Sequence, residues 1–338
     1  AVERLAALNL TATCGVEFEF FLFHDDEDAQ RALRAGRVRE LVPVGAEQQA
    51  YSLARGSDLV GLLDDFFALL EPYGVPIDSV LTELGYGMIE VGIGPLDPLA
   101  AADAAARFKL AAKELARRNG MIASFVAKLD MDQSGSSGHV HCSLQRDGAN
   151  ALWAGPNRLD ELGEAALAGL CAHLPEVSVF MAPNVNSYRR FRPGTWTPLV
   201  VGWGHDNRNA AVRVITVEES ATRFEVRRAG ADLNPYLSIA ACLHSCAEGI
   251  ESSRTLPEPT PGRAWEAPGA TALPSDLAAA TDLLDGSAFA RGAFSEELVE
   301  HYAISRRAEQ ARCAEHVGAD GGAEEVPERE LQRYLTVV

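Results

Sequence analysis

Alternating apolar and polar positions near the start of the chain predict a strand that carries two acids on one face. In the run from Val16 to Phe23, Glu17 and Glu19 interrupt aliphatic and aromatic residues. Side chains on a strand alternate with a period of two, so both carboxylates share a face. Carboxylates buried without partners lose their charge or destabilise the fold, so this face needs arginines or a bound metal ion. An edge strand with a solvated acidic face is the alternative.

Helical periodicity dominates the longer segments. Apolar residues recur at helical spacing, which predicts helices over 58–73, 99–119, 160–173 and 234–250, and further helical segments over 275–290 and 295–313. Asp58 is the predicted N-cap of the first of these helices. No internal repeat is present, and no apolar run reaches the roughly 20 residues that span a bilayer.

A second acidic segment lies between positions 80 and 91. Glu83 and Glu90 are seven residues apart, which places them on opposite faces of an unbroken strand. Gly85 and Gly87 interrupt that strand, and a bend or bulge there can turn both carboxylates towards one point. The alternative is that Glu83 is a surface acid beside a turn.

Two histidines occupy alternate positions after a loop rich in glycine and serine. Over 130–144 this loop leads into a strand on which His139, His141 and Ser143 share a face. A single histidine is usually a hydrogen-bonded core residue, whereas two on one face behind a flexible loop favour a site. These residues alone leave both interpretations open.

Arginines cluster between 189 and 228, although the chain as a whole is acidic. They alternate with valine, phenylalanine and isoleucine, and Arg223, Glu225 and Arg227 share one face of a predicted strand. Arginine suits the bidentate recognition of phosphate and carboxylate groups. The cluster therefore favours an anion site over a surface ladder of ion pairs.

Composition narrows the class of protein. The 338 residues carry a formal net charge of -18 and are 47% apolar, as in a globular protein of one large domain or two smaller ones. This charge argues against a nucleic-acid partner. The six cysteines are scattered without a C-x-x-C pair, and no signal peptide is recognised at the start. We therefore expect reduced thiols in a cytoplasmic protein without a membrane partner.

Together these features predict two metal sites. Carboxylates with a single imidazole suit Mg²⁺ or Mn²⁺ better than structural zinc, which uses cysteines or more histidines. Two such ions beside arginines are what phosphoryl transfer from a nucleotide requires. The candidate ligands are Glu17, Glu19, Glu83, Glu90, His139 and Glu225.

The order of these motifs resembles the glutamine synthetase family, whose members are ATP-dependent carboxylate-amine ligases. The matching blocks are 16–23, 80–91, 135–141, 186–190, 206–213 and 223–227 with 234–236. The resemblance implies an α+β catalytic domain over 1–338, in which a curved antiparallel sheet, a half-barrel, carries the active site and helices pack outside. From the resemblance we also expect that residues 1–338 do not include the family's small N-terminal β-grasp domain. A homo-oligomer is also implied, with a dodecamer of two hexameric rings as one form.

Metal and nucleotide roles follow from the same resemblance. It implies one metal site from Glu19, Glu83 and Glu90 and a second from Glu17, His139 and Glu225, holding two or more Mg²⁺ or Mn²⁺ ions, with ATP as co-substrate. The residues that resemble those around the nucleotide are Arg208 and Arg213 at its phosphates, and His141, Ser143 and Arg223 in its pocket.

Substrate roles are implied as well. Arg190 and Arg227 resemble the arginines that hold glutamate and its forming acyl phosphate, and with Arg208 they are the implied catalytic residues. Gly135 follows Ser134 where the family has an Asn-Gly pair that contacts glutamate.

One departure from the family pattern concerns the amine. Where the family carries a flap glutamate in a Pro-Gly-Tyr-Glu-Ala-Pro run, this chain has Trp196 between Pro193 and Pro198. That glutamate helps to hold ammonium, so Trp196 in the substrate site favours a larger or more apolar amine. We therefore predict a ligase, closest to the members that join glutamate to amines, that activates glutamate as γ-glutamyl phosphate and joins it to an organic amine such as a polyamine.

Two other functions fit the same sequence. One is a glutamine synthetase that uses ammonia. The other is a catalytically silent family member that serves as a scaffold or regulator, and the retained acids and arginines argue against it.

Overall fold

An open sheet forms the centre of the computed structural model, which describes residues 1–45, 48–267, 269–317 and 325–338. Within these residues the strands are β1 (Thr11–His24), β2 (Ile77–Thr82), β3 (Met88–Ile93), β4 (Met121–Ser124), β5 (Val140–Arg146), β6 (Ala149–Asn150), β7 (Trp153–Gly155), β8 (Arg158–Leu159), β9 (Trp203–His205), β10 (Val212–Ile215) and β11 (Arg223–Val226). The order across the main sheet is β2-β3-β1-β5-β11-β10-β9, with β4 paired to β1 and β6 paired to β5.

The pairing confirms the predicted α+β class. Neighbouring strands of the main sheet run antiparallel, apart from β9 and β10, which run parallel. The described strands of this sheet do not close into a barrel. The two short strands β7 and β8 form a separate hairpin.

Helices pack around the sheet. Within the described residues they are α1 (Val2–Ala7), α2 (Glu27–Arg34), α3 (Leu53–Asp58), α4 (Val60–Leu69), α5 (Pro98–Arg118), α6 (Glu161–Met181), α7 (Pro235–Glu251), α8 (Leu277–Asp285), α9 (Ala288–Phe294), α10 (Glu296–Val317) and α11 (Glu328–Tyr334). The predicted helices α5 and α7 are confirmed, and the side chains of Asp97 and Asn234 cap them. None of the described helices combines the length and the apolar character needed to cross a membrane.

Two helix predictions are wrong in their boundaries. The single helix predicted over 58–73 is two helices: Ser52 caps α3, Asp58 ends it, and α4 begins at Val60. The helix predicted to end at position 173 continues through Pro175 to Met181. Its last turns are buried, and that burial outweighs the backbone hydrogen bond that a proline removes.

The two faces of β1 have different surroundings. Phe18 and Phe20 are fully buried and pack against Phe108 of α5 and Phe125, with ring centroids 4.8–5.9 Å apart. The two glutamates of β1 alternate with these rings and lie on the opposite face. Because β1 pairs with β3, β4 and β5, the alternative of an edge strand is wrong. The strand that carries the two acids is therefore an interior strand of the sheet.

Helices α6 and α7 cross at a pair of glycines. A Cβ atom on Gly169 would lie 2.1 Å from the carbonyl oxygen of Ser245, and one on Gly249 would lie 2.1 Å from that of Ala165. The two backbones can approach this closely only because neither residue carries a side chain. This close approach packs α6 directly against α7.

Candidate metal and nucleotide site

Strand register brings the predicted acids of different strands together. β1 pairs with β3 so that Glu19 lies opposite Glu90. β11 pairs with β5 so that Glu225 lies opposite His141. Opposed residues of antiparallel strands have Cβ atoms about 5 Å apart. Residues that are far apart in the sequence thus share one side of the sheet.

The bend predicted between the two later acids is confirmed. The N–H of Glu83 donates to the carbonyl of Met88 at 2.9 Å, which closes a tight turn before β3. Gly87 sits in this turn at φ +64, and a Cβ atom on it would lie 2.4 Å from the carbonyl oxygen of Leu22. Glycine is therefore required at position 87 for two reasons: the backbone has a positive φ, and there is no space for a Cβ atom.

We call Glu19, Glu83 and Glu90 the acid cluster. Burial raises the pKa of all three carboxyls. For Glu90, burial and the charges of the surrounding glutamates together raise the pKa to about 9. A few groups of the chain favour the ionised carboxylates. The N–H of Ser137 donates to Glu19 Oε2 at 2.7 Å, and the charge of the exposed Arg208 opposes the effect of burial on the pKa of Glu83.

We call Glu17, His139 and Glu225 the paired cluster. His139 Nδ1 lies 3.1 Å from Glu17 Oε2 and 3.4 Å from Glu225 Oε1. Burial raises the pKa of the Glu17 carboxyl, but the charges of and hydrogen bonds from His141 and His139 outweigh it and hold the pKa well below its usual value. The imidazoles thus keep this carboxylate ionised.

Two arginines complete the paired cluster around Glu225. Arg213 Nη1 lies 2.8 Å from Glu225 Oε2, and Arg227 forms an ion pair with the other oxygen. Burial acts to raise the pKa of Glu225, yet His139, Arg227 and His141 lower it to about 2. Arg223 does not flank Glu225 as its position on the strand predicts; its Nε donates to His141 Nδ1 at 3.1 Å.

The donor set fits a divalent cation. Ligand atoms of Glu17, His141 and Glu225 all lie within 4.8 Å of one another, and His139 Nδ1 is close to the same two carboxylates. Because Arg223 donates to His141 Nδ1, the proton of a neutral His141 lies on Nε2, so His139 is the better candidate ligand. Carboxylate oxygens with one imidazole suit Mg²⁺ or Mn²⁺.

A cavity of about 850 Å³ opens beside the paired cluster. Glu17, His141, Ser143 and Arg223 contribute to its lining, so the residues predicted for the nucleotide pocket lie together. Its volume falls within the range of about 300–1,000 Å³ that is typical of small-molecule sites. Arg208 and Arg213, predicted at the nucleotide phosphates, do not line this cavity.

Arg190 is buried deeply beside the acid cluster. It is 1% exposed, its Nη2 donates to Ser137 Oγ at 3.0 Å, and its Nε and Nη1 find no partner among the described residues. Burial lowers the pKa of Arg190, and the charges of Glu19 and Asp232 oppose that effect. A buried guanidinium with unpaired N–H groups suits an anionic ligand.

Gly135 makes room for Arg190. A Cβ atom on this glycine would lie 2.7 Å from Arg190 Cγ and 2.7 Å from the carbonyl oxygen of Ala127. Ser137, which sequence reasoning did not single out, contacts both Glu19 and Arg190. Its place in the Gly/Ser-rich loop was the available signal, but serines in such loops are common.

Trp196 lies apart from these contacts. Its side chain is 55% exposed, and its backbone adopts φ +56 in the loop that follows Arg190. The neighbouring hydroxyls of Thr195 and Thr197 lie 2.7 Å apart and both bond to the Arg190 carbonyl. The indole is thus presented to solvent on a loop that is tied to Arg190.

Comparison with known proteins places this arrangement in a family. The model for the catalytic domain of glutamine synthetase matches residues 1–320. The γ-glutamylethanolamide synthetase of Streptomyces coelicolor is 37% identical over 91% of this chain and 65% of its own length. The glutamate–isopropylamine ligase of a Pseudomonas species is 36% identical over 90% of this chain and 66% of its own length. Glutamine synthetases are among the further matches.

Solved structures agree on the fold. A complex of GmaS with ADP superposes with a TM-score of 0.83 at 25% identity, over 95% of this chain and 74% of that one. The chain therefore belongs to the glutamine synthetase family and has the fold of its catalytic domain, which confirms the resemblance read from the motifs. It spans 65–66% of the length of the two curated relatives.

Proposed function

We propose that the protein is an ATP-dependent ligase that activates the side-chain carboxylate of glutamate as γ-glutamyl phosphate and joins it to an organic amine. The observation that carries this proposal is the meeting of the acid cluster, the paired cluster and a cavity of about 850 Å³ on one side of the sheet. The names of the ethanolamide synthetase and the isopropylamine ligase support an organic amine as the acceptor.

The cavity would hold the nucleotide. Glu17 belongs both to its lining and to the paired cluster, so phosphates directed towards Glu17 would approach Arg213 and Arg227. Guanidinium groups held in place before the ligand arrives stabilise charge that develops on a transferred phosphoryl group. Arg223 and His141, which line the cavity and bond to each other, would contact the rest of the nucleotide.

The two clusters would each hold a Mg²⁺ or Mn²⁺ ion, which when bound neutralises phosphate charge and polarises the transferred group. Arg190 and Gly135 would form the part of the site that binds glutamate, which we call the acid-binding side. The unpaired N–H groups of the Arg190 guanidinium would donate there to a carboxylate. A carboxylate oxygen of glutamate then attacks the γ-phosphorus and ADP leaves. The amine nitrogen attacks the acyl carbon in turn, and phosphate leaves.

The exposed indole of Trp196 supports an amine that is larger or more apolar than ammonia. An indole offers apolar area and a cation–π face to an alkylammonium group, and it offers no carboxylate to hold ammonium.

Phosphate release tests the proposal directly. ATP, glutamate and Mg²⁺ are supplied with ammonia, putrescine, spermine, ethanolamine or isopropylamine, and mass spectrometry identifies the amide formed. We expect turnover with at least one organic amine. Turnover with ammonia alone would make the protein a glutamine synthetase instead, and failure to bind Mg-ATP in calorimetry at millimolar metal would favour a catalytically silent protein.

A further inference from the structure

The helix nearest the C-terminus, α11, is bonded to the turn that carries Arg190. Glu330 of α11 is 1% exposed, and its carboxylate accepts hydrogen bonds from Asn186 Nδ2 at 2.8 Å and from Arg189 Nε and Nη2 at 2.9 Å. Both donors belong to the short 3₁₀ turn Asn186–Arg190. A buried carboxylate with charge-assisted bonds of this length holds its partners firmly.

Asn186 links the same carboxylate to a second segment of the site. Its Oδ1 accepts from the N–H of Lys128 at 2.8 Å, and its Nδ2 donates to the carbonyl of Lys128 at 2.9 Å. The ammonium of Lys128 donates to the carbonyl of Gln133. Through one amide side chain, Glu330 is thus connected to the loop that contains Gly135.

The two segments meet at the acid cluster. Arg190, from the first segment, donates to the hydroxyl of Ser137 at 3.0 Å. Ser137, which follows the loop of the second segment, donates its N–H to Glu19 at 2.7 Å. The match to the family's catalytic-domain model ends at residue 320, before α11 begins.

We propose that Glu330 is a positioning residue for the acid substrate, holding the 186–190 turn and the 128–135 loop so that Arg190 faces the glutamate carboxylate. The substrate part of this inference rests on the proposed function. The charge of Glu330 carries the effect, because Nε and Nη2 of Arg189 together bond to both of its oxygens, and a neutral amide has only one oxygen that can accept. An anchor that was merely structural would alter stability and leave substrate affinity unchanged.

Kinetics with Glu330→Gln separates these roles. The amide has the shape of the carboxylate and can still accept from Asn186, but it loses the charge that pairs with Arg189. We expect the KM for glutamate to rise about tenfold, since small misplacements of a binding group cost this much or more, while the KM for ATP stays within about twofold of the wild type. An unchanged KM for glutamate would overturn the inference.

Glu328 offers a matched control on the same helix. Its carboxylate pairs with Arg39 at 3.4 Å and not with the 186–190 turn. Glu328→Gln removes a negative charge two residues from Glu330 and should leave the KM for glutamate as it is. An equal rise in both variants would show that α11 acts through overall stability or charge, contrary to the inference.

Hydrogen exchange gives a readout that does not need turnover. We expect Glu330→Ala to raise amide exchange in segments 126–137 and 186–192, and Glu328→Ala to leave these segments unchanged. Raised exchange confined to these two segments would support the positioning role even if no ligase activity were found. That combination of results would contradict only the proposed function. Unchanged exchange in the folded Glu330→Ala variant would overturn the positioning role while the ligase assay stood.

Discussion

The acid cluster and the paired cluster lie side by side on one face of the sheet, and the chain handles their charges differently. In the acid cluster, burial and neighbouring carboxylates raise the pKa of Glu90 to about 9. In the paired cluster, burial acts in the same direction on Glu225, but His139, Arg227 and His141 lower its pKa to about 2. Burial that acts in the same direction on both carboxyls thus has opposite outcomes, according to whether cations of the chain lie within reach.

This difference indicates what each cluster requires from outside. The paired cluster keeps its charge by itself, with Arg213 and Arg227 engaged by Glu225 before any phosphate arrives. The acid cluster lacks such an arginine contact to Glu90 within the described residues. A cation bound there would allow all three of its carboxylates to ionise. The acid cluster therefore depends more strongly on a bound metal ion.

Removing the charge of Glu225 should have the largest effect. Glu225→Gln leaves two guanidiniums beside a neutral amide, so we expect turnover to fall by about a thousandfold and the unfolding free energy to fall by about 3 kcal/mol. Steady-state kinetics and chemical denaturation measure the two losses, and circular dichroism should show the fold retained. Asp206→Asn is the control, because Asp206 contacts the same Arg213 from an exposed position and should change stability by less than about 1 kcal/mol. Normal turnover by Glu225→Gln would mean that the paired cluster is misassigned.

The next largest effect separates the clusters by their metal binding. Glu19→Ala and Glu17→Ala remove one predicted ligand each, from the acid cluster and from the paired cluster. Loss of an outer-shell partner already costs about 10- to 100-fold in metal affinity, so we expect about 100-fold for the ligand itself. Calorimetric titration with Mn²⁺ should show that each variant weakens a different binding event. If both variants lost the same event, the division into two sites would be wrong.

A smaller effect is expected where Gly135 makes room for Arg190. Gly135→Ala would place a Cβ atom 2.7 Å from Arg190 Cγ, so the arginine must shift. We expect the KM for glutamate to rise about tenfold, as displacement of a positioned group does. Gly292→Ala in α9 is the matched control, because a Cβ atom there meets nothing within 4 Å. If the KM for glutamate of Gly135→Ala equalled that of the wild type, Arg190 would not belong to the acid-binding side.

The last effect, which is the smallest for a change of one pH unit, concerns stability without metal. Because the pKa of Glu90 in the folded protein is about 9, above its ordinary value, its contribution to stability is full below that ordinary value and is lost as the pH rises towards 9. Between pH 5 and 8, we expect the unfolding free energy of the wild type to fall by about 1 kcal/mol per pH unit more than that of Glu90→Gln. Denaturation in the presence of a chelator measures both slopes. If the unfolding free energies of the two proteins changed equally with pH, the pKa of Glu90 would not be raised by burial and the neighbouring carboxylates.

Local patterns in the sequence predicted the parts of the site that local chemistry controls. Alternation in β1 gave two acids a common face, and Gly87 with its φ of +64 produced the bend that turns Glu83. Periodicity predicted α5 and α7 closely. The break at Leu59 between α3 and α4 lies between Gly56 and Gly61, and the prediction missed it because it took Asp58 as the start of a helix, whereas Ser52 caps the first of two.

Contacts that depend on register or on distant segments were beyond these patterns. Arg213 meets Glu225 because β10 and β11 pair at those two positions, and the sequence of either strand alone does not state that pairing. Glu330 lies more than 140 positions from Asn186, so only the packed fold reveals their bond. The periodicity of strands and helices predicted which residues are candidates for the site, while tertiary packing determines which of these residues contact one another.

Proton release on metal binding tests the contrast between the clusters most directly. Mn²⁺ is titrated at pH 7 into the metal-free protein in two buffers of different ionisation enthalpy, and the number of protons released is obtained from the difference in heat. Because a bound cation lowers the pKa of its ligands, we predict release of about one proton from the wild type, and from Glu90→Gln about one fewer. Binding of Mn²⁺ without proton release by the wild type, or with equal release by both proteins, would contradict the account.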